Sequence, residues 1–229
     1  INCLQLPCGV PLREDYCDYE SQIDTANWMS QLMMAHGSSI SLRDLVLPGC
    51  HDAASATIKC KPFAVAGRTQ SVGVGQQLEM GARYLDLRVA TGKSHNMFSI
   101  WHGCLEGGDL QDVLLEISDF AHNHANELIV VELVAEHGRP FEDEDKQKCL
   151  QAVKDILGES IFPGSDLPEI ITTPIAQVVK NRKERILLLV HDRFSIPHDF
   201  GNSKQLFRNP WHNTRDIDTI FSKNLTAVQ

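Results

Sequence analysis

The sequence lacks the features of a membrane-spanning or nucleotide-binding chain. No run of about 18 consecutive apolar residues occurs, which is the length that a helix needs to cross a bilayer. A glycine-rich dinucleotide fingerprint and a Walker loop are also absent. Basic residues are scarce, since 21 Lys and Arg face 30 Asp and Glu and the formal net charge is -9. Because nucleic-acid affinity depends largely on Lys and Arg that neutralise phosphates, we expect no nucleic-acid partner.

What is present suits one globular α/β domain. The chain has 229 residues, of which 42% are hydrophobic and 22% charged, enough to build a sizeable core. Residues 1–26 show no sustained period and are interpreted as an irregular, cysteine-containing lead-in, so the domain is assigned to residues 27–229. The chain has seven cysteines and begins with Ile. These features favour a secreted protein, with a cytoplasmic one as the alternative, and they leave any disulfide connectivity open.

Hydrophobic periodicity predicts strands that alternate with helices. Compact apolar runs bounded by turn residues predict strands at 42–47, 84–89, 98–101, 128–134 and 186–190. Helical spacing predicts helices at 28–34, 74–80, 110–121, 143–157, 174–180 and 214–223. The alternation predicts a parallel sheet, either doubly wound or closed as a (β/α)8 barrel. We favour the barrel because no nucleotide-binding motif supports the doubly wound fold.

Residues able to carry out chemistry stand at or near the ends of the predicted strands. They are His51, Asp86, Arg88, His102 and, after the last strand, His191. In both candidate folds the active site gathers where parallel strands end, so we expect these side chains to meet. Two imidazoles, a guanidinium and carboxylates can move a phosphoryl group without a metal. Each residue alone also has an ordinary structural explanation, such as a hydrogen-bonded histidine or a surface ion pair.

Four motifs together resemble a known family. They are LPGCHD (47–52), QQL with GARYLDLR (76–88), WHG (101–103) and HANE (124–127). In this order and at these separations they resemble phosphatidylinositol-specific phospholipase C, and more narrowly its bacterial-type branch that has only the X domain. The resemblance runs from residue 27 to the end of the chain. It implies a distorted, TIM-like (β/α)8 barrel.

The resemblance also implies a reaction. His51 matches the general base that removes the proton of the inositol 2-hydroxyl, so that this oxygen attacks the neighbouring phosphorus. His102 matches the general acid that protonates the departing diacylglycerol oxygen. Arg88 matches the arginine that binds the phosphate. The implied products are diacylglycerol and inositol 1,2-cyclic phosphate.

Four further positions complete the predicted site. Asp52 and Asp86 match the carboxylates that position the catalytic set. His191 and Arg193 follow the last predicted strand, where related enzymes place a basic residue against the inositol ring. Calcium-dependent relatives have a carboxylate where this chain has Arg88, so the resemblance implies an enzyme that needs no metal or other cofactor.

The resemblance has consequences for partners and completeness. It implies phosphatidylinositol or a related membrane lipid as the substrate, met during transient contact with a membrane surface. Five predicted strands fall short of the eight that a barrel requires. The family's later residues that contact inositol have no counterpart before Gln229. We therefore expect a barrel that is incomplete at its C-terminus and is completed by a missing fragment or a second chain.

Two alternative functions remain open on the sequence alone. A glycerophosphodiester phosphodiesterase or sphingomyelinase D-like enzyme also uses two histidines on a barrel, but it holds a metal through a Glu-x-Asp pair. Asp86 and Arg88 do not match that pair. The second alternative is a non-catalytic phosphoinositide-binding protein that kept the barrel, against which the retention of both histidines argues.

Overall fold

The computed structural model describes residues 23–36, 39–59, 67–93, 97–137 and 139–203. Its helices are α1 (Trp28–His36), α2 (Val74–Glu79), α3 (Leu110–Asn123), α4 (Asp143–Leu157), α5 (Leu167–Thr172) and α6 (Ile175–Asn181). Its strands are β1 (Gly49–Cys50), β2 (Tyr84–Thr91), β3 (Phe98–His102), β4 (Leu105–Asp109), β5 (Ile129–Ala135), β6 (Ile186–Val190) and β7 (Gly201–Asn202). The predicted helix 214–223 and residues 1–22 of the lead-in lie outside the described residues. None of the described helices has the length and apolar composition needed to cross a membrane.

The strands form one mixed sheet in the order β4-β3-β2-β5-β6-β7, and β1 pairs with the start of β2. The pairs β1 with β2, β2 with β5, β5 with β6 and β6 with β7 are parallel. Helices connect the parallel strands β5 and β6, as the predicted α/β architecture requires. Within the described residues the sheet does not close on itself, so the expectation of a distorted, incomplete barrel is confirmed.

The prediction of a strand at 42–47 is wrong. Leu42–Asp44 forms a 3-10 turn instead. The Asp44 carboxylate accepts hydrogen bonds from both the backbone N–H (2.9 Å) and the hydroxyl (2.7 Å) of Ser41, and this local bonding turns the chain. Val46 is 76% exposed. Strand pairing begins only at Gly49, whose missing side chain lets the backbone lie close to Tyr84.

The predicted third strand exists, but it is not parallel to its neighbour. β3 runs antiparallel to β2, with Val89 opposite Ile100, and β4 runs antiparallel to β3. The connection between Thr91 and Phe98 is too short for the crossover of about a dozen residues that parallel pairing requires. β4 could not be predicted from the sequence, because its central residues are Glu106, Gly107 and Gly108 rather than an apolar run.

Alternation along β2 separates the core from the site. Leu85, Leu87 and Val89 are fully buried in a cluster shared with apolar residues of α3 and α4. Because successive side chains of a strand point to opposite faces, Asp86 and Arg88 face the other side of the sheet. The predicted helices α3 and α4, which cover the outer face, are confirmed. The Asp109 carboxylate caps α3 by accepting the N–H of Gln111 at 3.0 Å.

A buried ion pair anchors the end of the sheet opposite the predicted site. The Arg83 guanidinium donates to the Glu127 carboxylate through Nε (3.0 Å) and Nη2 (2.7 Å), and both residues are 0% exposed. Its other N–H groups donate to main-chain carbonyls of Ala26, Leu78 and Ala82. Glu127 in turn accepts the N–H of Ser30 in the first turn of α1 (2.9 Å). The pair therefore joins the start of the predicted domain to α1, α2 and β2.

We predict that Arg83→Met lowers the free energy of unfolding by about 3–5 kcal/mol, because it leaves the Glu127 carboxylate buried without a cation. Urea denaturation measures the change. Lys148→Met is the matched control, since Lys148 pairs with Glu144 on the exposed face of α4 and its loss is expected to change the free energy of unfolding far less. Equal losses for the two variants would contradict the anchoring role of Arg83.

Candidate active site

The structure brings five of the predicted site residues into one cluster. His51 and Asp52 follow β1, Asp86 and Arg88 face inward from β2, and His102 ends β3. His102 reaches the cluster differently from the prediction. Because β3 runs back along β2, its last residue returns towards the part of β2 that holds Asp86 and Arg88.

Asp52 lies at the centre of the cluster. Its Oδ1 is 2.6 Å from Arg88 Nε, and its Oδ2 is 3.2 Å from His51 Nε2 and 3.4 Å from His102 Nε2. The Asp52 side chain is 2% exposed. Its backbone has φ 47°, a left-handed conformation that few residues other than glycine adopt. One buried carboxylate thus touches a cation and both imidazoles.

Asp86 fixes the orientation of His51. Its Oδ2 lies 2.8 Å from His51 Nδ1, and because a carboxylate only accepts, Nδ1 carries the proton and Nε2 is left to exchange one. This hydrogen bond raises the pKa of His51, although burial of the ring opposes the shift. Burial also disfavours the charged form of Asp86. The contacts with His51 and Arg88 outweigh it and hold the pKa of Asp86 below its usual range.

His102 is oriented by a main-chain carbonyl. Its Nδ1 lies 2.8 Å from the Gly67 oxygen, so Nδ1 carries a proton and Nε2 is the nitrogen available for transfer. The side chains of His51 and His102 are 35% and 31% exposed, while the carboxylates beneath them are almost fully buried. Solvent therefore reaches both imidazoles, and both contact the same buried carboxylate, that of Asp52.

Two buried glutamates near the cluster were missed by the sequence analysis. Glu136 Oε1 accepts the N–H of Gly103 (3.2 Å), and its Oε2 is 3.9 Å from Arg88 Nη1. Glu132 lies beside Asp86 in the parallel register and accepts the Tyr84 hydroxyl at 2.7 Å. For Glu132 the available signal was an acid inside the apolar run of β5, since a buried strand carries a carboxylate only where that group has partners; Glu136 follows the strand and had no such signal.

His191 and Arg193 lie at the same end of the sheet but in a separate turn. The His191 N–H donates to the Leu133 carbonyl of β5 (2.9 Å), which places the residue just beyond β6. His191 Nδ1 accepts the N–H of Arg193 (3.1 Å), so its Nε2 carries the proton. Arg193 is exposed. The contacts described for these two residues stay within their turn and β5, whereas those of the first five connect them to one another.

The cluster also contains the donor set for a cation. His51, Asp52 and Asp86 each offer one ligand atom, and these atoms lie within 4.8 Å of one another. Arg88 lies beside the same carboxylates, 2.6 Å from Asp52 and 3.6 Å from Asp86. A metal ion here would compete with the guanidinium for the two acids.

Three cysteines lie in the part of the chain that the structure describes. Cys50 precedes His51, and burial raises the pKa of its thiol, which favours the unreactive protonated form. Cys149 is buried in α4 and Cys104 is exposed after His102, and all three are free thiols. The cysteines of the predicted lead-in lie outside the described residues.

Comparison with known proteins identifies the fold and the family. Residues 47–191 match the family described as phosphatidylinositol-specific phospholipase C, X domain. The mouse PI-PLC X domain-containing protein 2 is 25% identical over 243 residues, which cover 95% of this chain and 67% of that protein. The zebrafish PI-PLC X domain-containing protein 3 is 25% identical over 228 residues, covering 88% of this chain and 68% of the relative.

Solved structures share the architecture. The phosphatidylinositol-specific phospholipase C of Listeria monocytogenes aligns with a TM-score of 0.68 and 24% identity, covering 89% of this chain and 73% of that one. The Staphylococcus aureus enzyme aligns with a TM-score of 0.55 and 24% identity, covering 73% and 53%. The matched range contains the whole five-residue cluster and exceeds half of the chain. The chain belongs to the family of proteins with the X domain of phosphatidylinositol-specific phospholipase C.

Proposed function

We propose that this protein is a phospholipase C that cleaves phosphatidylinositol-type lipids at a membrane surface, without a metal, to diacylglycerol and inositol 1,2-cyclic phosphate. The observation that carries the proposal is the Asp52 carboxylate, which lies within 3.4 Å of His51, His102 and Arg88. The two imidazoles that transfer protons and the Arg88 guanidinium therefore lie around one carboxylate, and solvent can reach both imidazoles. This is the equipment for phosphodiester transfer by general acid–base catalysis.

In the first half of the step, His51 acts as the base. Its Nε2 takes the proton of the inositol 2-hydroxyl while the 2-oxygen forms a bond to phosphorus. The hydrogen bond from Nδ1 to Asp86 supports this role, because it leaves Nε2 to accept the proton and stabilises the imidazolium that results.

In the second half, His102 acts as the acid. The bond between phosphorus and the glycerol oxygen breaks, and His102 Nε2 gives its proton to that oxygen. Arg88 stabilises the charge on the non-bridging oxygens of phosphorus, and Asp52 holds Arg88 and both imidazoles around them. In the turn beyond β6, the Nε2–H of His191 and the exposed Arg193 side chain would contact the inositol ring.

The absence of a metal requirement follows from the charge on Arg88. A fixed guanidinium 2.6 Å from Asp52 supplies the positive charge that a calcium ion would otherwise bring to the phosphate. The same cation disfavours the metal-dependent alternative functions. Secretion of the protein stays a prediction from the sequence.

We predict that His51→Ala and His102→Ala each lower kcat on phosphatidylinositol vesicles by about 10²- to 10⁴-fold, the usual contribution of one acid or base group. An inositol phosphodiester with a nitrophenol leaving group separates the two roles, because nitrophenolate departs without a proton. On that substrate His102→Ala recovers most of the lost rate, and His51→Ala does not. Spectrophotometric release of nitrophenol measures both variants.

The control for these variants is His122→Ala, which removes an exposed imidazole whose contacts stay within α3. We expect it to retain the rate of the wild type. Equal losses for His51→Ala and His102→Ala on both substrates would contradict the assigned acid and base roles.

The pH profile tests the link between Asp86 and His51. A base must be unprotonated, and the hydrogen bond to Asp86 raises the pKa of His51, so the acid limb of kcat/KM is expected above about 6.5, the ordinary histidine value. Asp86→Asn removes the carboxylate and moves this limb to lower pH while lowering kcat. Asp112→Asn, on the exposed side of α3, is the control and leaves the limb in place. An unmoved limb in Asp86→Asn would exclude His51 as the titrating base.

A further inference from the structure

One short stretch of chain, residues 67–70, contacts both the turn that holds His51 and Asp52 and the His102 imidazole at the end of β3. We propose that Thr69, Gln70 and the Gly67 carbonyl form a positioning element that holds Asp52 and His102 in their working geometry. The inference rests on the proposed function, because it assigns these residues a part in that reaction. None of them touches the reacting atoms in the proposed step, and each acts through a neighbour.

The first step of the argument is the strained turn at Asp52. A left-handed backbone is unfavourable for most residues that carry a side chain, so it persists at Asp52 because surrounding contacts support it. The turn is held by Asp86, whose carbonyl accepts the Ala53 N–H at 2.8 Å, and also by residues 67–70. The Thr69 hydroxyl lies 3.0 Å from the His51 carbonyl and 3.4 Å from the Asp52 carbonyl, and Gln70 Nε2 donates to the His51 carbonyl at 2.9 Å.

The second step is that these donors are themselves fixed. Ser55 Oγ accepts the N–H groups of Thr69 (3.0 Å) and Gln70 (3.1 Å), and it is 2.9 Å from the Thr69 hydroxyl. With both amides donating to it, the Ser55 hydroxyl can donate its own hydrogen bond to the Thr69 oxygen, and the Thr69 hydroxyl then donates to the His51 carbonyl. Ser55 is buried, and its N–H donates to the Asp52 carbonyl at 2.9 Å. The turn and residues 69–70 thus close one ring of hydrogen bonds.

The third step is the contact with the other histidine. The Gly67 carbonyl accepts from His102 Nδ1 at 2.8 Å and so selects the nitrogen that is free for transfer. A Cβ at position 67 would meet the Cδ1 end of the Leu105 side chain of β4, which would have to move aside. Residues 67–70 therefore hold the turn at His51 and Asp52 through the side chains of Thr69 and Gln70. They orient the His102 imidazole through the Gly67 carbonyl.

The consequence for the reaction follows from the short reach of aspartate. The Asp52 carboxylate sits two bonds from its own Cα, so its position depends directly on the backbone that Thr69 and Gln70 hold. Misplacing a catalytic group by about 1 Å can cost about 100-fold in rate. Loss of these donors should therefore lower kcat more than it weakens substrate binding.

The experiment compares Thr69→Val, which removes the hydroxyl at nearly constant shape, with Thr69→Ser, which keeps it. We expect Thr69→Val to lower kcat on phosphatidylinositol vesicles by about 10- to 100-fold with KM changed by less than about threefold. Thr69→Ser should stay within about threefold of the wild type. The second variant is Gln70→Met, which removes the donor to the His51 carbonyl and should lower kcat in the same way. It decides the test if Thr69→Val does not fold.

A double-mutant cycle tests whether Thr69 acts through Asp52. In an Asp52→Asn background, Thr69→Val should lower kcat by less than about threefold, because the group that it positions is already lost. Full additivity, an unchanged kcat in Thr69→Val, or an equal loss in Thr69→Ser would each overturn the proposal.

A readout without turnover separates this inference from the proposed function. Nitrogen NMR of the imidazoles in protein with labelled histidine should show shifted Nε2 signals of His51 and His102 in Thr69→Val and wild-type signals in Thr69→Ser. An inactive wild type would overturn the proposed function and leave this NMR comparison to decide the geometry. Unchanged signals in Thr69→Val would overturn the positioning role, whatever the activity of the wild type.

Discussion

The burial of the Asp52 carboxylate is the constraint on which the rest of the site depends. An ionised carboxylate removed from water is costly unless a cation and hydrogen-bond donors surround it. Arg88 meets this requirement from β2, and His51 and His102 approach the same group from β1 and β3. The site is therefore a charge cluster assembled from three strands. The Asp52–Arg88 ion pair is also the feature that makes a metal ion unnecessary in the proposed reaction.

One end of the sheet holds contacts that stabilise the fold, and the other end holds the candidate active site. At one end, the Arg83–Glu127 pair is fully buried and its donors are matched by carbonyls, so it favours a single arrangement of α1, α2 and β2. At the other end, the protein holds a left-handed Asp52 and a set of acids that exceeds its cations. Such a strained, charged end requires a rigid frame, and the apolar faces of β2, β5 and β6 provide it.

Much of this arrangement could be predicted from the sequence, and the failures have local causes. Three strands and two helices each bury a continuous apolar face: β2, β5, β6, α3 and α4. The spacing of their apolar residues was therefore sufficient to predict them. The run at 42–47 was misread because the Ser41–Asp44 hydrogen bonds overrode its apolar pattern. The motifs identified the five clustered residues. They could not supply Glu136, or the bonds from residues 67–70, because these depend on contacts between segments far apart in sequence.

The most direct test of the central claim is phosphorus NMR of phosphatidylinositol vesicles incubated with the protein and excess chelator. The account predicts the resonance of a five-membered cyclic inositol phosphate from the wild type and none from Arg88→Ala, which removes the cation that faces Asp52. A wild type that is silent with chelator and active with calcium would contradict the account, because the phosphate would then depend on a metal rather than on Arg88.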